Sequence, residues 1–314
     1  MEIVGNRYEL LARIGKGGVG EVFRARDRES GREVAVKILR ALHRGNDEVR
    51  ARFEREARLL ELIRSPHVCE LLDFSASDET PYLVCALLEG KGLDAILRGG
   101  RALPLAEVGQ LVDDILAGLT AAHAAGVVHR DLKPSNVVVE ARDGRHHAVL
   151  VDFGVSKLLP ANDMATLTTA SATLGSPQYM APEQFGGSKN VDARCDVYAA
   201  ATIAFRALTG RLPFAHDNTP MLAALKRTYP PETLAQATGR AWPDALQIFF
   251  DVALATDPAA RPPSAANAAA GWRRAVAAAS SEGGAPTSRE APDGSDDRED
   301  DETPVLSRTP RGRL

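Results

Sequence analysis

Residues 129–136 read His129-Arg130-Asp131-Leu132-Lys133-Pro134-Ser135-Asn136. The run before them, LVDDILAGLTAAHAAGVV (111–128), has a helical apolar pattern, and the VVV that follows (137–139) reads as a strand. A polar stretch set between two apolar ones has no packing reason to be there. It carries one carboxylate (Asp131), one ammonium (Lys133) and one amide (Asn136), groups suited to holding a hydroxyl, a phosphate and a metal.

Composition narrows the classes. The chain has 314 residues, 44% hydrophobic and 25% charged, in the range of a soluble globular protein with room for a sizeable core. A net charge of −4 gives no support to general nucleic-acid binding. Cys69, Cys85 and Cys195 are widely spaced in apolar surroundings, which predicts reduced, packed thiols and neither a disulfide framework nor a zinc site. No apolar run reaches the roughly 18–20 residues of a membrane span. The start, MEIVGNRYELL, lacks the basic and apolar regions of a signal peptide. If the natural chain ends at Leu314, a soluble, cytoplasmic protein is expected.

Working toward the N-terminus, RYELLARIG, EVFRARD and REVAVKIL (within 7–40) read as strands. The first turn is Gly15-Lys16-Gly17-Gly18-Val19-Gly20, and its glycines permit close backbone approach to a ligand. A dinucleotide-binding turn would lead into a helix. Here a strand follows, so a β-hairpin lid is predicted. Lys37 lies in the apolar strand VAVKIL, where a lysine calls for a partner, unless it snorkels at an edge. Residues 46–62, NDEVRARFEREARLLEL, read as a helix with Val49, Phe53, Ala57 and Leu60 inward and Asp47 as N-cap. Glu56 on that helix is the candidate partner for Lys37. Strands at 68–74 and 82–87 complete a five-stranded sheet with one helix, and a boundary falls near residue 89.

Beyond it the chain turns helical, first at LDAILRG, then over 105–126 with Gly126 ending the second helix. Residues 137–139 and 149–151 read as a hairpin around Asp143-Gly144, with His146 and His147 as exposed turn residues. Asp152-Phe153-Gly154 places a carboxylate directly after a buried strand. Residues 155–180 are Ser/Thr-rich without periodicity, a long loop of the kind that is functional or disordered. Helices are expected at 192–210, 221–226, 244–255 and 264–279. From residue 280 the composition is polar and acidic and cannot bury enough surface to offset its ordering entropy, so disorder is expected.

Singly these motifs are modest; their order is specific. Gly15-x-Gly17-x-x-Gly20-x-Val22, Ala35-Val36-Lys37, Glu56, His129-Arg130-Asp131 with Asn136, Asp152-Phe153-Gly154 and Ala181-Pro182-Glu183 follow one another in one chain. The set resembles the protein-kinase signature. GSPQYMAPEQ and DPAARPPSA further resemble the eukaryotic-like Ser/Thr kinases of bacteria. The resemblance covers about residues 8–275. It implies an α+β, bilobal fold, with a five-stranded N-lobe carrying one main helix and a mainly helical C-lobe. The divisions would be an extension (1–7), the N-lobe (8–88), the C-lobe (89–279) and a disordered tail (280–314).

The resemblance also implies roles. Asp131 and Lys133 would act on the acceptor hydroxyl and γ-phosphate, with Lys37 on the α- and β-phosphates held by Glu56. ATP would be bounded by Ile14, Gly15, Lys16, Gly17, Gly18, Val19, Gly20, Val22, Ala35, Lys37, Cys85, Ala86, Leu88 and Val138. Asn136 and Asp152 would hold Mg²⁺, with Mn²⁺ as a substitute. Lys133, two residues after Asp131, matches Ser/Thr rather than tyrosine kinases. Cys85 occupies the gatekeeper position and is small, which implies an enlarged back pocket; Ala86 departs from the acidic residue common there. Arg130 implies control by activation-loop phosphate, with Thr166, Thr168, Thr169, Ser171 and Thr173 as acceptors, Thr168 and Thr169 favoured. Ser176 stands where threonine is usual. Glu183 would pair with Arg261, and Asp196 would brace the catalytic loop. The expected partners are protein substrates with Ser/Thr acceptors and a second copy for autophosphorylation, with no nucleic acid. A pseudokinase scaffold is the rival, but Lys37, Asp131, Asn136 and Asp152 are all present. A small-molecule kinase would lack the Ala-Pro-Glu segment and the long loop.

Overall fold

The computed structural model describes residues 2–17, 20–76, 79–142, 144–153, 177–186 and 191–281, without the side chains of Arg52 and Glu56. The N-terminal sheet has six strands: β1 (Ile3–Val4), β2 (Tyr8–Lys16), β3 (Gly20–Asp27), β4 (Glu33–Leu39), β5 (Leu71–Ser75) and β6 (Tyr82–Ala86), in the order β1-β2-β3-β4-β6-β5. This is one strand more than expected. Ile3 and Val4 pair with Glu9 and Tyr8 through a turn whose Gly5 (φ 57°) and Asn6 (φ 56°) adopt the left-handed conformation open to those residue types. Two residues are too short a strand to show periodicity in sequence.

Between β4 and β5 lie a short α1 (Ala41–Arg44) and α2 (Asp47–Leu60). The N-cap of α2 is Asn46, not Asp47: the Asn46 side chain accepts from the N–H groups of Glu48 and Val49. The two residues are both good caps, and only the backbone decides where the first helical turn begins. Phe53, Ala57 and Leu60 are buried and Val49 packs on the same core, as the spacing predicts. β5 starts three residues later than expected. Val68 instead bridges Leu150, and the Cys69 N–H donates to the Leu150 carbonyl at 2.9 Å, tying this segment to the second sheet.

That second sheet has three strands, β7 (Gly90–Gly92), β8 (Val137–Arg142) and β9 (Arg145–Leu150). Around it stand α3 (Leu93–Ile96), α4 (Leu105–Ala124), α5 (Arg194–Thr209), α6 (Thr219–Thr228), α7 (Leu234–Thr238), α8 (Asp244–Ala253) and α9 (Ala265–Ser281). Helix α5 is the central post, with residues 195–205 buried without a break. An all-round apolar helix can be stable only inside a layer of other helices. Trp272 of α9 is fully buried and donates its indole N–H to the Gly109 carbonyl of α4 at 2.9 Å. Helix α9 runs two residues into the stretch expected to be disordered; residues 282–314 lie outside the described residues. Among the described residues no helix is long and apolar enough to cross a membrane.

Candidate active site

The stretch 129–136 is a loop between α4 and β8 that closes in a 3-10 turn, Pro134–Asn136. The Lys133 ammonium lies 2.9 Å from Asp131 Oδ2, and the Asn136 amide donates to the Asp131 carbonyl oxygen at 3.0 Å. Asn136 is buried at 6% exposure, and spending its NH₂ on that carbonyl leaves Oδ1 as its remaining acceptor. The Val151 N–H donates to the Asn136 carbonyl at 3.0 Å, which sets Asp152 beside this loop.

One buried carboxylate holds the loop in shape. Asp196, in the first turn of α5, accepts from the N–H of His129 (2.8 Å) and of Arg130 (2.8 Å) and pairs with His123 Nε2 (2.8 Å). Burial alone would raise its pKa. The His123 bond and the two histidine rings outweigh that, so it is held below the usual carboxylate value. His129 is fully buried against the Phe153 ring, 4.6 Å between centroids, and burial lowers its pKa. Gln184 donates to the Arg130 carbonyl at 2.9 Å and accepts from the Ala181 N–H at 2.9 Å, linking the loop to the Ala181-Pro182-Glu183 segment.

Across the cleft, register builds the opposing wall. Val22 pairs with Lys37 and Ala35 with Cys85. Cross-strand partners and residues two apart point the same way, so Val22, Ala35, Lys37 and Cys85 share one half-buried face. Ile14 falls at a β-bulge in β2 and is 53% exposed. Gly15 and Lys16 follow it on β2, and the Gly17 N–H donates to the Gly20 carbonyl at 2.8 Å. A Cβ at Gly20 would stand 2.9 Å from the Ile38 carbonyl oxygen, so glycine is required there by the approach of β3 to β4. Leu87 and Leu88 leave β6 half-buried, and Val138 on β8 is half-buried opposite. The Ala86 N–H is taken by the Glu70 carbonyl at 3.0 Å, and its own carbonyl accepts from the Cys69 thiol at 3.5 Å.

The two walls meet through Lys37, whose ammonium lies 3.0 Å from Asp152 Oδ1. Lys37 is the main reason the Asp152 carboxyl is held below its usual range. A cleft with a lysine at one side, a depressed carboxylate at the other, and a carboxylate–lysine–amide loop beneath is built to hold a polyanion and a hydroxyl together.

The protein kinase domain family model matches residues 8–272. The chain belongs to the protein kinase family. Among its relatives, the Serine/threonine-protein kinase pkn3 of Myxococcus xanthus is 38% identical over 266 residues, 82% of this chain and 48% of that protein. The Serine/threonine-protein kinase PknD of Mycobacterium tuberculosis is 36% identical over 254 residues, 81% of this chain and 37% of that one. The chain thus spans about half the length of these curated relatives or less. The crystal structure of the Mycobacterium tuberculosis PknI kinase domain superposes with a TM-score of 0.67 at 26% identity, over 87% of this chain and 98% of that one. A kinase domain implies ATP as phosphoryl donor and, typically, a divalent metal.

In this kinase domain the structure brings Lys37, Asp131, Lys133, Asn136 and Asp152 to one cleft. It does not bear on the expected Lys37–Glu56 pair, since the Glu56 side chain lies outside the described residues. Gly18, Val19, Gly154, Thr166, Thr168, Thr169, Ser171, Thr173 and Ser176 lie outside them too. Arg130 is described: its guanidinium donates to the Val191 carbonyl at 3.3 Å. Sequence reasoning missed His123, Gln184 and Lys226. His123 could have been suspected as a polar residue at the end of an apolar helix six positions before His129. Lys226 is a lone lysine in the run MLAALK.

Proposed function

We propose that this chain is a Ser/Thr protein kinase that transfers the γ-phosphoryl of ATP to Ser or Thr hydroxyls of protein substrates. The observation that carries the reading is the Asp131–Lys133–Asn136 cluster, braced by Asp196 and facing the Lys37–Asp152 pair. Phosphoryl transfer needs alignment and charge neutralisation more than covalent help. Asp131 orients the acceptor hydroxyl and takes its proton; Lys133, 2.9 Å away, offsets the negative charge gathering beside it. Lys37 holds the α- and β-phosphates, with Glu56 as its partner. The adenine lies between Val22 and Ala35 above and Val138 below, against Cys85, Ala86 and Leu88.

The donor set fits a hard divalent cation. Asp152 offers a carboxylate kept ionised by Lys37, and Asn136 an amide oxygen. Mg²⁺, or Mn²⁺ in its place, supplies Lewis-acid neutralisation of the phosphates when bound.

The N-lobe is taken as 8–88, with β1 (Ile3–Val4) of the preceding extension joined to its sheet, and the C-lobe as 89–279, with α9 continuing to Ser281. Arg130, half-buried beside Asp131, supports regulation by a phosphate on the segment containing Thr168 and Thr169, added by a second copy of the chain. Incubation with labelled ATP and Mg²⁺ tests the reading. The wild type labels itself or a Ser/Thr protein substrate, and Asp131→Asn lowers the rate by about 10²- to 10⁴-fold. Equal labelling by the two proteins would overturn it.

A further inference from the structure

A groove of about 640 Å³ opens beside residues 177–180 that the proposed chemistry leaves unused. Its walls include Gln178, Tyr179, Arg206, Gly210, Arg211 and Glu232. Its floor is drawn tight where Gly210, the left-handed cap of α5 (φ 73°), meets Gly100: a Cβ at Gly210 would stand 2.0 Å from the Gly100 carbonyl oxygen. Tyr179 also lines a small internal cavity of about 10 Å³ together with Arg130 and Asp131, so one side chain separates the groove from the catalytic loop.

The charges in the groove are unequal. Arg211 and Glu232 face each other at 3.6 Å. Arg206, half-buried on α5, has among the described residues one hydrogen-bond partner, the neutral Tyr179 hydroxyl, to which it donates. Asp94 on α3 acts on Tyr179 through space, yet among the described residues no ion pair forms with Arg206. A guanidinium has five N–H donors and binds a carboxylate with two of them at once. One is spent on Tyr179.

We propose that this groove takes an acidic segment of the protein substrate and that Arg206 selects it. The inference rests on the kinase reading above and names the substrate class for the same site. Arg206 is a specificity-determining residue: it binds a Glu or Asp side chain near the acceptor and leaves phosphoryl transfer itself to Asp131 and Lys133.

Peptides with one Ser or Thr acceptor, with Glu, Ala or Lys scanned through five positions on either side, test it. For the wild type, kcat/KM is higher for Glu than for Lys at one or more of these positions, by roughly 10- to 100-fold as a charge-assisted hydrogen bond provides. Arg206→Glu reverses that preference with the KM for ATP unchanged, and Arg206→Lys keeps it. Tyr179→Phe, which removes the hydroxyl but not the cation, also keeps it. Equal use of Glu and Lys peptides by the wild type, or an acidic preference that survives Arg206→Glu, would overturn the inference while leaving the kinase reading intact. Should Arg206→Glu fail to fold, Arg206→Gln takes its place: it removes the charge at similar size, loss of the Glu preference is expected, and its persistence would overturn the inference. Absence of transfer to any peptide and to the protein itself would sink the kinase reading and this inference with it.

Discussion

Arg130 and Asp152 hold φ at 60° and 52°, a region that non-glycine residues seldom enter. Such conformations cost on the order of 1–3 kcal/mol each and persist only where the surroundings impose them. At Arg130 the imposing group is Asp196, which binds two successive backbone N–H groups and so fixes the peptide on the N-terminal side of Asp131. At Asp152 the attraction of Lys37 holds the side chain across the cleft. Replacing Asp196 by alanine leaves two N–H groups and His123 without their acceptor, and each buried unpaired group costs about 1–3 kcal/mol. Asp196→Ala is expected to lower the melting temperature and abolish labelling, whereas Asp196→Asn, which keeps one acceptor oxygen, stays folded with reduced kcat. Thermal melts beside the labelling assay measure both; full activity in the alanine variant would mean the loop keeps its shape unaided.

At the scale of elements, α6 is attached to the segment beside the groove by one buried lysine. Lys226 is 1% exposed and donates to the carbonyls of Pro177 (3.2 Å), Gln178 (2.7 Å) and Met180 (2.7 Å). Its ammonium also lies 5.7 Å from the Phe185 ring centre and 5.2 Å from that of Tyr198, whose other cation is Arg261 at 4.9 Å. Burial pushes the Lys226 pKa down from 10.5 to about 7, against the pull of these carbonyls and ring faces. The unfolded chain keeps that proton up to about 10.5, and the folded one releases it near 7. Stability therefore rises with pH through this interval, because the unfolded state binds more protons there. The melting temperature of the wild type relative to Lys226→Met should climb between pH 7 and pH 9; a difference that stays flat would mean the ammonium is retained. The secondary structure of α6 was readable from its apolar spacing, but this attachment was not. A lysine in an apolar helix reads as a snorkelling surface residue until the carbonyls it meets, more than forty positions earlier in the chain, are in place.

At the scale of the whole molecule, the Arg261 guanidinium meets both oxygens of Glu183 at 2.7 and 2.8 Å and has no exposed side-chain surface. It also donates to the carbonyls of Ala255, Thr256 and Arg194, so one side chain joins the Ala181-Pro182-Glu183 segment, the start of α5 and the turn after α8. Arg261→Ala leaves the Glu183 charge largely buried and unpaired, a loss of about 3–5 kcal/mol. Urea unfolding should show it as a lower midpoint at unchanged slope. Glu183→Gln combined with Arg261→Met should recover part of the loss, since no isolated charge remains; a double variant as weak as the single one would count against an electrostatic cause.

Much of this was readable along the chain. The spacing of Phe53, Ala57 and Leu60 placed a helix and its inward face, and the ordered motifs placed the family, because residue type and interval are properties of the chain itself. Local ambiguity accounts for the differences. Asn46 and Asp47 are equivalent caps until the backbone chooses one, and Ile3–Val4 becomes a strand only when β2 offers it a partner.

The sequence by itself determined which chemical groups the molecule carries and in what order: Lys37, Asp131, Lys133, Asn136 and Asp152, in the pattern of a protein kinase. The tertiary structure alone decided which groups meet. It set Lys37 against Asp152 across 115 positions of chain, gave Asp196 two backbone donors and a histidine, and placed Arg206 in a groove beside the Tyr179 hydroxyl. The reason is that hydrogen bonds and ion pairs act over about 3–4 Å of space, and separation along the chain says little about separation in space until the core has packed.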